Sequence, residues 1–295
     1  MKRIKLLYDQ LGQSKTSNNE YKLLKVNPSQ LNPQIKIVVI DNPKTLNSLS
    51  KELTNEIINC LNNLNNDENT KVIIITGSGK SFVSGVDISS FKTENYSDLL
   101  KKNNSITEKL TNVYYTINKP MIAAVNGYCF GGGLELALCC DMIYCSDKST
   151  LGFPEIKLAL IPGMAGTQKL SRIFGILKAN EFILSGKNID LQEAHSRGLI
   201  NDIIKHENLL SHTEKIAEEI CKYDITALVS AKKAIKHSLE SGLYNGIEYE
   251  KSLFFPLFDS KETKNAIDKF LNKNKKNWII YYKLKYVKGS NPNII

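Results

Sequence analysis

The chain has 295 residues, 42% hydrophobic and 23% charged, with a formal net charge of +9. That much apolar material can bury a large core and excludes wholesale disorder, while no apolar run reaches the roughly 18 to 20 residues a bilayer-spanning helix needs. The cysteines at 60, 129, 139, 140, 145 and 221 form no CxxC pair and no zinc-type spacing, so they read as reduced core thiols, with no metal site expected.

The polar start, residues 1–34, carries basic residues and a short apolar patch but no secretory core, and Asp9 interrupts an organelle presequence. Secretion is not expected; the mitochondrial matrix or the cytoplasm is. The run IKIVVID (35–41) predicts a strand closed by the turn-like NPK. Ser50 then caps KELTNEIINCLNNLNN, where Leu53, Ile57, Leu61 and Leu64 recur at helical spacing. KVIIITG (71–77) is a second, continuously apolar strand, and the strand-helix-strand order predicts a parallel sheet. A helical stretch from about Tyr96 to Ile117 leads to the strand MIAAVNG (121–127), the helix GGGLELALCCDM and the short run MIYCSD. Beyond Ser171 the pattern turns helical: KANEFILSG, LQEAHSRG, His206 to Tyr223, Ala227 to Leu239 and Lys261 to Asn272.

Chemistry can sit where a strand runs through glycine towards a helix, in SFVSGVDISSF (81–91) and NGYCFGGGLELAL (126–138). Glycine allows close approach and positive φ, and the first amides of a helix have no internal acceptor, so two such amides facing one oxygen would form an oxyanion hole. A lone GGG more often makes a tight turn. Glu135 is the better signal: it is flanked by Leu134, Leu136, Ala137, Leu138, Cys139 and Cys140 on a helix apolar nearly all round. A buried carboxylate must be paired, protonated or engaged with a ligand; pairing with a distant Arg or with amides of its own helix start is the structural alternative. Glu155 follows Pro154 in LGFPEIKLALIPGMAGTQKL, where Gly163 marks another close approach; alone, it could simply complement a helix dipole.

Other motifs fail. TGSGKS (76–81) looks like the end of a phosphate-binding loop, but the first glycine is replaced by Ile74 and FVSGVD follows instead of a long helix. There is no GxSxG or HExxH, and His195, His206, His212 and His237 are scattered among polar helices.

From about residue 35 to 278 the chain resembles the crotonase, or enoyl-CoA hydratase/isomerase, family. The resemblance is carried by DNPKTLNSLS, VIIITGSGKSFVSGVDISSF, KPMIAAVNGYCFGGGLELALCCDMIY and LGFPEIKLALIPGMAGTQKLSRIFG, in the family's order. It implies an α/β fold, a ββα-superhelix spiral core over 35–200, then a helical trimerisation region over 201–278; 1–34 is a leader and 279–295 a basic tail. It further implies that the backbone amides of Val86 and Gly132 form the oxyanion hole and that Glu135 and Glu155 are the catalytic pair of a hydratase, adding water to a trans-2-enoyl-CoA in fatty-acid or branched-chain amino-acid degradation. No cofactor is implied beyond the coenzyme A of the substrate, expected along Ser84, Gly85, Asp87 and Ile88 and near Gly163. Phe270 and Lys273 match positions that reach the adenosine end in a neighbouring subunit of a homotrimer or dimer of trimers.

Val86 and Ser84 stand where the family usually has small residues, and Met164 and Ala165 replace a more glycine-rich loop. Within the family the alternatives are a methylglutaconyl-CoA-type hydratase or an enoyl-CoA isomerase. RNA binding, suggested by the positive charge and a lysine-rich helix in one branch, fails on SKELTNEIINCLNNLNN, which has one lysine and two glutamates. A non-catalytic scaffold is opposed by the two glutamates and both glycine loops. No nucleic acid partner is expected.

Overall fold

The computed structural model describes residues 21–89 and 106–282, in two compact units, Met1–Ile225 and Thr226–Ile295. In the first unit the chain runs through strands β1 (Leu24–Pro28) and β2 (Ile35–Ile40), helix α1 (Lys51–Asn66), strands β3 (Val72–Gly77) and β4 (Ser81–Val83), and helix α2 (Ile106–Thr116). Strands β5 (Met121–Val125) and β6 (Tyr128–Phe130), helix α3 (Gly132–Ala137), and strands β7 (Met142–Ser146) and β8 (Thr150–Gly152) follow. Helices α4 (Gly166–Phe174) and α5 (Ile176–Ser185), strand β9 (Asn188–Ile189), helix α6 (Leu191–Ser196), strand β10 (Asp202–Ile204) and helix α7 (Leu209–Cys221) complete it.

One sheet has the order β1-β2-β3-β5-β7-β10 and a second the order β4-β6-β8-β9. Among the described residues, only the end pairs β1/β2 and β8/β9 are antiparallel. Each long strand from β3 on passes within a few residues into a short strand of the other sheet: β3 into β4, β5 into β6, β7 into β8. Every turn of chain thus adds one strand to both sheets, which is the ββα spiral the resemblance implies.

The long strands read as unbroken apolar runs because both faces of their sheet are covered. Ile73 and Ile75 of β3 join Leu53, Ile57 and Leu61 of α1 in one core. Val72 and Ile74, pointing the other way, join Leu209, Ala217 and Cys221 of α7 in a second. Helix α1 begins as its sequence dictates, the Ser50 side chain accepting from the Leu53 amide at 3.1 Å.

Boundaries differ from expectation in two places. The stretch taken as leader contains β1, paired with β2 from Leu24↔Ile40 to Pro28↔Lys36; of its five residues only Leu24 and Asn27 are buried, with no alternation to mark a strand in a polar context. The core also extends past residue 200, because β10 pairs with β7 and α7 packs on the main sheet, so the unit ends at Ile225. The expected helix from Tyr96 lies partly outside the described residues, as do residues 1–20 of the leader and 283–295 of the tail.

The second unit holds α8, whose Ile225–His237 span begins at the boundary, α9 (Leu243–Phe254), and α10 (Lys261–Tyr282), which runs into the stretch expected as tail. No helix among the described residues is long and apolar enough to cross a membrane.

The packing of α3 on β4 leaves no room at Gly133, where an added Cβ would lie 2.1 Å from the Val83 carbonyl oxygen. Backbone cannot swing aside as a side chain can. Gly133→Ala is expected to destabilise the fold by more than about 3 kcal/mol, read as a lower urea midpoint at unchanged slope.

Candidate active site

Val86 follows β4 and forms an isolated parallel bridge with Leu49. The Leu49 amide donates to the Gly85 carbonyl at 2.8 Å, and the Asp87 amide donates to the Leu49 carbonyl at 3.0 Å. Successive peptides of an extended chain point opposite ways, so the intervening Val86 N–H faces away from Leu49. Gly132 opens α3, where the first-turn amides have no helical acceptor. The two positions adjoin: a Cβ built on Gly132 would lie 2.7 Å from Val86 Cγ2 and 2.7 Å from Met164 Cε. The freed amide at Val86 comes from strand alternation and not from the helix start that the sequence suggested.

Glu135, one turn into α3, is 2% exposed. Its Oε1 accepts from the Met164 amide at 2.7 Å and the Gly166 amide at 2.8 Å. These amides converge because Ala165 between them holds φ +82, a left-handed geometry that wraps neighbouring N–H groups round an anion. Burial pushes the Glu135 carboxyl above its ordinary value, while the amides of Gly166, Met164 and Gly163 and the Lys169 charge pull it back. Its partners are neither an Arg nor its own helix start. They lie on the IPGMAG loop some thirty residues on, where Gly166 admits no side chain: an added Cβ would meet Phe153 Cε1 at 2.7 Å and Glu135 Oε1 at 2.9 Å.

Glu155 begins a 3-10 turn (Glu155–Leu158) after β8. Its carboxylate reaches towards the start of α3, so that a Cβ on Gly131 would lie 2.7 Å from its Oε1. Its Oε2 is buried and has no hydrogen-bond partner among the described residues. Burial pushes its carboxyl up to about 7; its own backbone amide opposes that and the charge of Glu135 adds to it. A buried oxygen without a partner is uncommon and marks a place for water or a ligand group.

Around the pair, Ser84 donates its amide to the Leu46 carbonyl at 3.2 Å. Gly85 sits at φ +128, Asp87 accepts the Ser89 amide at 3.0 Å, and Ile88 is exposed. Gly163 is exposed, with space for a Cβ 3.5 Å from Thr107 Cγ2. The structure thus brings Val86, Gly132, Glu135 and Glu155 together with the 84–88 loop. Phe270, exposed on α10, belongs to the C-terminal unit, as does Lys273, whose side chain lies outside the described residues.

Two contributors went unread in the sequence. The Met164 and Gly166 amides carry no side-chain signal, although the glycine spacing of IPGMAG hinted at a turn. Lys169 donates to the Leu138 carbonyl at the end of α3, and its ammonium lies 3.9 Å from the Tyr114 ring centroid. His206 ties its Nδ1 to Ser146 Oγ at 2.9 Å, holding β7 to the turn after β10.

Comparison with known proteins agrees with this architecture. A family model described as enoyl-CoA hydratase/isomerase matches residues 31–279. A probable mitochondrial enoyl-CoA hydratase of Dictyostelium discoideum is 38% identical over 250 residues, covering 83% of this chain and 87% of that protein. A probable enoyl-CoA hydratase of Mycobacterium leprae is 36% identical over 241 residues, 81% of this chain and 92% of that one. Among solved structures, an enoyl-CoA hydratase subunit of Geobacillus kaustophilus superimposes with a TM-score of 0.82 at 31% identity, covering 86% of this chain and 97% of that chain. Since the match takes in every strand from β2 to β10 and the residues gathered between α3 and the IPGMAG loop, this chain belongs to the enoyl-CoA hydratase/isomerase family.

Proposed function

We propose that the chain is a hydro-lyase that adds water across the double bond of a trans-2-enoyl-CoA to give a 3-hydroxyacyl-CoA. The observation that carries this reading is the asymmetry of the two carboxyls. Glu135 is held by amide donors, which favour the carboxylate, whereas the buried Oε2 of Glu155 has no donor and its carboxyl rises to about 7. Glu135 is then the base and Glu155 the acid.

The thioester carbonyl oxygen lies between the Val86 and Gly132 amides, which stabilise the negative charge that collects there as C3 is attacked; one such donor is typically worth about 2.7 to 4 kcal/mol. Glu135 takes a proton from a water held between the acids, the hydroxyl oxygen bonds to C3, and the π electrons move to C2 and the thioester oxygen. Glu155 delivers its proton to C2 as the enolate collapses. The pair ends with the proton on Glu135, and exchange between the acids and solvent restores the starting form. The enzyme needs no cofactor of its own, coenzyme A arriving with the substrate along residues 84–88. Loss of absorbance of crotonyl-CoA on addition of purified protein tests the reading; failure to hydrate short, long and branched 2-enoyl thioesters alike would refute it.

The active form carries one proton shared by the pair, so kcat/KM should be bell-shaped in pH. Above about 7, Glu155 loses its proton and the rate constant falls up to tenfold per unit; on the acid side Glu135 gains one. Hydration and dehydration start from tautomers with the same number of protons, so the two directions should share one profile. Stopped-time assays from both sides check this, and a flat profile between pH 6 and 9 contradicts it.

Leu243, Phe255 and Phe270 are 83%, 62% and 65% exposed on the C-terminal unit, and an apolar surface of that kind calls for cover. This supports a homotrimer or dimer of trimers, checked by sedimentation. The mitochondrial Dictyostelium relative supports a mitochondrial location for this chain, checked by a fluorescent fusion.

A further inference from the structure

The two amides of the oxyanion hole belong to segments far apart in sequence, Gly85–Asp87 after β4 and Gly131–Gly132 after β6. Something must set the gap between them to within a fraction of an ångström, since charge stabilisation by fixed donors depends on their aim. Two buried asparagines outside the hole stand on the chain that leads to each donor.

Asn47 is 0% exposed and sits at φ +58, directly after Leu46 at φ +53. Asparagine is among the few side chains that tolerate this geometry. Its Oδ1 accepts the Asn42 amide at 2.8 Å, and its Nδ2 donates to the Ser78 carbonyl at 3.0 Å and the Ser81 carbonyl at 2.8 Å. The loop it fixes is the one that straps the first donor segment: Leu46 carbonyl takes the Ser84 amide, and Leu49 bridges Gly85 and Asp87. Asn126 follows β5 on the way to β6 and Gly132. Its Oδ1 accepts the Gly77 amide at 3.1 Å, and its Nδ2 donates to the carbonyls of Gly79 at 3.1 Å and Ser81 at 3.4 Å. The Ser81 carbonyl, at the first residue of β4, therefore receives an amide from each side.

We propose that Asn47 and Asn126 are positioning residues that share the Ser81 carbonyl as a common anchor and thereby register the Val86 amide against the Gly132 amide. This rests on the reading of those two amides as the oxyanion hole. The asparagines touch no substrate. Asn47 acts through the Leu46–Leu49 strap, and Asn126 through the β5–β6 connection.

The test uses Asn47→Gly, because glycine keeps the positive φ and removes only the side-chain bonds, with Asn47→Asp as a second variant that retains the Oδ1 acceptor but puts an oxygen against the Ser78 and Ser81 carbonyls. For either, kcat on crotonyl-CoA should fall ten- to a hundredfold with KM within about threefold. In the slow Glu155→Gln background, the infrared carbonyl band of bound [1-13C]crotonyl-CoA should move from a polarised, low-wavenumber position back towards that in water when Asn47→Gly is added. A kcat within twofold of wild type, or a lowered kcat with the band unmoved, overturns the clamp, the latter assigning Asn47 a purely structural role. A band already at its solution position with Asn47 intact would instead sink the oxyanion-hole reading beneath it.

Discussion

Glu155→Gln is expected to lower kcat for hydration by about 10² to 10⁴ while leaving thioester affinity nearly unchanged. The amide has no acidic proton to give C2, but the Val86 and Gly132 backbone amides, proposed to grip the carbonyl, are left in place. The same variant should be more stable than wild type at pH 8. Glu155 binds its proton more tightly folded than unfolded, at about 7 against the ordinary 4.5. Its contribution to stability is therefore complete below 4.5 and is lost as pH rises through about 7. Above that the protein carries an ionised, partly buried carboxylate, and glutamine relieves about 1 to 3 kcal/mol, with partial solvent contact keeping the gain below the full shift. Melting curves at pH 8 and pH 4.5 test the sign: the gap should be several degrees at pH 8 and close over the acidic range. Glu135→Gln should lose activity to a similar extent, since glutamine can still accept from the Met164 and Gly166 amides but cannot take a proton from water. Unchanged turnover in either variant contradicts the acid–base assignment.

Gly132→Ala attacks the other half of the chemistry. Its Cβ would lie 2.7 Å from both Val86 Cγ2 and Met164 Cε, with Leu49 Cδ1 at 3.4 Å. Methionine can swing its methyl away; the β-branched Val86 can yield only by shifting the segment that holds the first donor. The fold should survive at a cost of about 1 to 3 kcal/mol. Activity should drop by about 10² to 10³, the loss of one well-aimed donor. Single-turnover assays would show the fall in the chemical step. A normal kcat in the Gly132→Ala enzyme would place the carbonyl elsewhere.

The departures from the family pattern at Val86, Met164 and Ala165 fall round this one spot. Val86 and Met164 both crowd the space beside Gly132, each leaving only 2.7 Å to a Cβ built there. Ala165 holds φ +82 without being glycine, a strained geometry of the kind that persists only where surrounding structure enforces it. Here the enforcement is visible: the Ala165 carbonyl starts α4 by accepting the Gln168 and Lys169 amides, while the flanking amides close on Glu135.

Much of this was legible in the chain itself. The apolar runs from 35, 72 and 121 announced parallel strands covered on both faces, Ser50 announced the start of α1, and a glutamate among leucines announced a carboxylate that must be held. These are local signals, set by side-chain period and by the cost of burying charge. What holds Glu135, what frees the Val86 amide and where the core begins were decided only by tertiary structure. Each depends on backbone groups brought together from distant turns of the spiral: Met164 and Gly166 against α3, Leu49 against Val86, β1 against β2. Backbone amides are the same at every residue, so their convergence leaves no trace in composition or spacing and appears only once the chain has folded.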